Sequence, residues 1–101
     1  MANETENAID IADPFARRLI AKYVDRRKAD IDSLRAALID KRFDDIRLSG
    51  HNMSGSGSAY GLDRISEIGA GLEDAASNGD SMEVSRLLDD LDRFIRGLRL
   101  P

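Results

Sequence analysis

The chemistry open to this chain centres on one imidazole. His51 is the only histidine and there is no cysteine, while the other charged side chains are 15 Lys and Arg against 19 Asp and Glu. A neutral imidazole is a base or nucleophile near pH 7, so its surroundings decide whether it reacts. On a helix, its neighbours three, four and seven residues away are Asp44, Arg47, Leu48, Ser54, Gly55 and Ser58. Ser54, Gly55 and Ser58 are small. A surface stripped of bulk around an accessible ring lets another protein bring a large reacting group close to it, and Leu48 adds an apolar contact. Close helix packing explains Gly50 and Gly57 but gives no reason for Gly55. The acidic pairs Asp44-Asp45 and Asp89-Asp90 read as solvated helix faces. One histidine among scattered carboxylates lacks a metal-ligand spacing, so no metal site is expected.

The elements that hold His51 follow from hydrophobic periodicity. Asp13-Pro14 opens a helix, because Asp accepts from free N–H groups of the first turn and Pro there gives up no bonded N–H. Phe15, Leu19, Tyr23 or Val24, Ile31, Leu34 and Leu38 then recur mostly every three or four residues to about Asp40. Phe43, Ile46, Gly50, Met53, Gly57 and Tyr60 form a second stripe, with Ser54-Gly55-Ser56-Gly57-Ser58 read as helix rather than as a linker. His51 sits about 100° off that seam and should face solvent at least in part. Gly61 breaks the pattern. Leu62, Ile65, Gly69, Leu72 and Ala76 make a third stripe ending at Asn78-Gly79. Asp80 and Glu83 resemble a capping box that opens a last helix carrying Val84, Leu87, Leu88, Leu91, Phe94, Ile95 and Leu98. Short links favour antiparallel neighbours. The expected fold is all-α: an antiparallel up-down four-helix bundle over residues 13–101, preceded by a flexible arm or short helix over 1–12.

Composition narrows the function classes. At 42% hydrophobic and 34% charged, the chain suits one small water-exposed domain. No apolar run approaches the roughly 20 residues of a membrane span, and the acidic, polar N-terminus is unlike an export signal. The absence of cysteine suits a reducing cytoplasm. With a formal net charge of -4 and arginines scattered among acids, nucleic acid is not an expected partner.

The segment HNMSGSGSAYGLDRISEIGAGLEDAA carries a motif: a His, an apolar residue two later (Met53), Ser54-Gly55-Ser56 from the third, and Gly61 ten after the His. This resembles the histidine-containing phosphotransfer (HPt) domain family from about Leu48 to Ala76, and the rest agrees in helix pattern and length. The resemblance implies a phosphoryl carrier rather than a turnover enzyme. His51 would accept a phosphoryl group from the aspartyl phosphate of a receiver domain and pass it to another receiver's aspartate. Imidazole suits this through its reversible P–N bond.

The resemblance also implies roles for individual residues. A polar side chain on the next helix often orients the second ring nitrogen in the family, and Glu73 corresponds here. Gly55 would let the receiver backbone approach. Leu48, Ser54, Ser56 and Ser58 would complete the docking surface, with Ser56 bonding either a phosphoryl oxygen or its own helix. The Mg²⁺ of such reactions belongs to the receiver, so this chain needs no cofactor. Where the family usually has Lys, this chain has Ser54, which cannot balance phosphoryl charge. Arg47, one turn before His51, or Arg64, early in the next helix, would have to supply it.

Two other readings compete. The chain could be a helical adaptor binding receivers or kinases through Leu48, His51 and Gly55 without being phosphorylated. A hydrolase using His51 with Asp44 or Glu73 is disfavoured, since a bundle this small leaves little room for a substrate cleft. A monomer is expected, because Leu48 is the one apolar residue the pattern leaves facing solvent.

Overall fold

The computed structural model describes residues 13–99, as four helices: α1 (Pro14–Ile39), α2 (Phe43–Ser56), α3 (Asp63–Ser77) and α4 (Ser81–Arg96), with a 3-10 turn at Ser58–Tyr60. The arm expected over residues 1–12 lies outside the described residues.

The caps begin where the sequence pattern places them. Asp13 Oδ1 accepts from the Phe15 N–H at 3.0 Å, and Asp80 Oδ1 accepts from the Glu83 N–H at 3.1 Å. Between α1 and α2 the chain reverses through Lys41, a non-glycine residue at φ 58°, whose Nζ donates to Ser81 Oγ on α4 at 3.1 Å. Gly79, at φ 64°, makes the equivalent reversal between α3 and α4. These two links are three residues long and the one from α2 to α3, through the 3-10 turn, is six, all short enough that successive helices run antiparallel, as in an up-down bundle.

The second stripe does not continue as one α-helix to Tyr60. The α-helix ends at Ser56, because the Gly57 carbonyl accepts from both the Tyr60 and Leu62 N–H groups, at 3.0 and 2.9 Å, and tightens the chain into the 3-10 turn. The Gly/Ser stretch through Ser56 is helical, as expected. Gly57 itself is needed there, since a Cβ would stand 2.6 Å from the Ser66 backbone nitrogen.

The core gathers Ile46, Met53, Ile65, Ile68, Leu72, Val84, Leu88 and Leu91, all with essentially no exposure. Truncating one of the leucines to Ala should destabilise the bundle by about 2–5 kcal/mol. Tyr23 and Val24 are both buried, whereas Phe15 is 59% exposed and Leu19 43%. The two belong to the start of α1, which runs on past Tyr23. At that level α2 ends, with Ser56 bonded to Tyr23 and Tyr60 stacked on its ring at 4.3 Å. Leu48 is therefore not the one exposed large apolar residue: Phe15, Leu19, Ile39 and Met82 join it.

Helices α2 and α3 make the closest approach. A Cβ on Gly50 would lie 2.6 Å from Glu73 N and 2.7 Å from Gly69 O, and one on Gly69 would lie 2.6 Å from Met53 Cβ. Only a backbone without side chains on both surfaces permits this contact. It is what sets Glu73 beside the helix that carries His51.

Candidate functional site

His51 lies past the middle of α2 with its side chain 68% exposed. Its Nδ1 stands 3.2 Å from Glu73 Oε2. A carboxylate only accepts, so the bond requires the proton on Nδ1, and in the neutral ring the lone pair then sits on Nε2. Among the described residues Nε2 has no hydrogen-bond partner. The pair thus presents a nucleophilic nitrogen to solvent, with the other ring nitrogen held. On α3, Glu73 also anchors the helix end, since its carbonyl accepts from Ser77 Oγ at 2.8 Å.

The surface around the ring is low on one side and apolar on the other. A Cβ on Gly55 would meet nothing within 4 Å, so packing does not require this glycine. Leu48 is 56% exposed. Ser54 is half-buried on the flank that faces α3.

Other residues singled out in the sequence fall elsewhere. Ser56 Oγ is 2.7 Å from Tyr23 OH, which engages it with α1 rather than with the His51 face. The hydroxyl's partner is thus a side chain 33 residues away, where no local pattern could announce it, rather than the backbone of its own helix. Ser58 follows the end of α2. Its N–H donates to Ser66 Oγ at 2.8 Å and its hydroxyl lies 3.2 Å from the same oxygen. Arg47 shares the α3-facing flank with His51 and makes a loose pair with Asp44, Nε to Oδ1 at 3.9 Å. Arg64 does not join the site. It pairs with Glu67 at 3.2 Å and with Asp90 on α4 at 3.7 Å. Nine residues before Glu73 on the same helix, it sits roughly 13 Å away along the axis.

A shallow groove between α1 and α2, lined by Arg27, Asp30, Asp45, Leu48, Ser49 and Asn52 above Met53, is not legible in the motif. It borders Leu48 and does not include His51, so it offers no pocket for chemistry at the ring. Among the described residues no three His, Asp or Glu side chains converge as a metal-binding group, and no helix is long and apolar enough to cross a membrane.

Comparison with known proteins adds one finding. The family model described as Hpt domain matches residues 18–99, which takes in all of α2 and α3 and nearly all of the bundle. No curated protein and no solved structure matches the chain.

Proposed function

The chain belongs to the Hpt domain family, and from that premise we propose that it carries a phosphoryl group on His51 Nε2 within a two-component phosphorelay. The family implies receiver domains as partners and a carrier rather than a turnover enzyme. The observation that supports the reading for this chain is the His51–Glu73 pair, which holds Nδ1 at 3.2 Å and leaves Nε2 open.

In the forward step the Nε2 lone pair attacks the phosphorus of a receiver's aspartyl phosphate. The P–N bond forms as the P–O bond to the aspartate breaks, and the electron pair leaves with the carboxylate. The ring then carries the phosphoryl group on Nε2 and a proton on Nδ1, so it is cationic, and the Glu73 carboxylate stabilises that charge. Attack by a second receiver's aspartate reverses these changes and restores the neutral ring. Mg²⁺, held by the receiver, offsets phosphoryl charge when bound. This chain contributes the nucleophile, its orientation and a surface low enough at Gly55 for close approach. Arg47 supplies the nearby cation that Ser54 does not, by exchanging its loose contact with Asp44 for the phosphoryl oxygens. The carrier acts as a cytoplasmic monomer on protein partners, not on nucleic acid or membrane.

A second reading is favoured by Ser54. Without the usual lysine, the chain would be an adaptor that docks receivers or kinases without being phosphorylated. Mixing the chain with phosphorylated receivers and following the adduct in wild type and His51→Gln separates the two. A carrier loses transfer in the variant and keeps binding. An adaptor shows no adduct in either protein and binds in both.

A further inference from the structure

The arginines are not evenly scattered once the chain is folded. Every arginine from Arg27 to Arg96 has a carboxylate within 4 Å. By contrast Arg17, Arg18, Lys22 and Arg26, all in the first half of α1, form no ion pair among the described residues. Three of these cations share a surface with exposed apolar side chains. Phe15, Leu19, Lys22 and Arg26 follow one another at steps of four, three and four, a single stripe on α1, and the Arg18 guanidinium lies over the Phe15 ring at 5.9 Å. Four residues after Arg26 on the same stripe, Asp30 lines the groove that borders Leu48. The stripe therefore leads along α1 to the side of the molecule that presents His51. Phe15 to Asp30 spans about 22 Å of helix, within the reach of one interface of about 800 Å² a side.

Charge around His51 gives this stripe a task. A partner that presents an aspartyl phosphate and a bound cation does so from a cluster of carboxylates. Beside the ring stand Glu73 and Asp44, the latter fully exposed and only loosely paired with Arg47 at 3.9 Å, while Asp45, on the groove side of α2, is held by Arg42 at 2.8 Å. Arg47 thus stands there against Asp44 and Glu73, which leaves the face little net attraction for an acidic partner, on a chain whose net charge is -4. Attraction beyond that of Arg47 has to come from a surface next to His51, and the α1 cations that form no ion pair among the described residues are on that side.

We infer that the exposed stripe Phe15-Leu19-Lys22-Arg26 is a second docking surface for the receiver partner, which engages a carboxylate-bearing apolar patch beside the receiver's phosphorylation pocket and steers and orients its approach. The inference rests on the phosphocarrier reading above. Steering acts on encounter and not on the chemical step, so it appears in kcat/KM and in salt dependence. Two copies of this chain are a poor alternative occupant, because paired stripes would set cation against cation.

The test compares Lys22→Glu/Arg26→Glu with Arg96→Glu/Arg99→Glu, two variants of equal net charge. The probe is the receiver from the same genome that binds the chain most tightly, and transfer to His51 and equilibrium binding are measured from low to high NaCl. The stripe variant should lose about tenfold in kcat/KM at low salt, the lower end of what steering contributes. It should keep kcat and show a flattened salt dependence, while the control stays within twofold of wild type. Equal losses in the two variants, or none in either, overturn the inference. So does loss of binding to phosphatidylserine vesicles with transfer unchanged, which would assign the stripe to lipid, and so does a tenfold gain on removing residues 1–12 that the stripe substitutions abolish. If wild type binds the receiver but never becomes phosphorylated, the carrier reading fails, and the stripe stands or falls on binding alone.

Discussion

His51 and Glu73 are 22 residues apart in sequence and 3.2 Å apart in space, Nδ1 to Oε2, on two helices that touch through glycine. The geometry fixes one ring nitrogen and frees the other. Replacing Glu73 with Gln leaves a weaker acceptor and removes the negative charge that stabilises the phosphorylated ring. Phosphoryl transfer should slow by about a hundredfold, the low end of what a positioned proton-holding group contributes, while receiver binding stays within twofold. Rapid-quench transfer kinetics beside a binding titration check this, and an unchanged rate removes Glu73 from the mechanism.

The charge left uncompensated by Ser54 makes a paired prediction. Arg47→Ala should shorten the lifetime of phosphohistidine, and Ser54→Lys should lengthen it. Arg64→Ala should leave it as in wild type, because that side chain is occupied with Glu67 and Asp90. The decay of the acid-labile adduct, followed by intact mass, measures all three. Equal lifetimes in wild type and Arg47→Ala would remove that residue's role.

Two glycines on neighbouring helices should respond in opposite directions. Gly55→Ala meets open space on an exposed helix face and should stabilise the fold by about 0.5–1 kcal/mol through helix propensity. Gly69→Ala would push a methyl to within 2.6 Å of Met53 Cβ and the Ser54 backbone, and should destabilise it by about 1–3 kcal/mol through overpacking. Thermal unfolding distinguishes them. A bulky Gly55→Trp should fold normally and lose receiver binding, the outcome that assigns the open space at Gly55 to a partner.

Ser56 belongs to stability. Ser56→Ala breaks the bond to Tyr23 OH and should lower stability by about 1 kcal/mol, the usual net worth of such a bond, with no change in transfer rate. A transfer defect without a stability change would return Ser56 to the docking face.

Much of the fold was written in local pattern. Asp13, Asp80 and Gly79 act on the chain within four residues of themselves, and the periodic stripes needed only a helix to become faces. His51's exposure and the absence of a packing reason for Gly55 followed from the same wheel. The Glu73 pairing came only through family resemblance, since nothing local to Glu73 points to a histidine on another helix. What the pattern could not reveal depends on where helices stop relative to one another. Phe15 and Leu19 lie on the apolar stripe but run past the end of α2, so the stripe predicts a core that is not there to receive them. Arg64 and Arg47 looked interchangeable by spacing from the motif. The antiparallel register of α2 and α3 sets Glu73, not Arg64, level with His51. Ser56 and Ser66 take their partners across turns and between helices, beyond any periodic signal.

The central claim is that His51 Nε2 accepts a phosphoryl group. The most direct measurement is the intact mass of the chain after mixing with phosphorylated receivers from the same genome, with His51→Gln beside it. One acid-labile phosphoryl adduct in wild type, absent from His51→Gln, is the predicted result. No adduct with any receiver, or an adduct that persists in His51→Gln, would contradict the account.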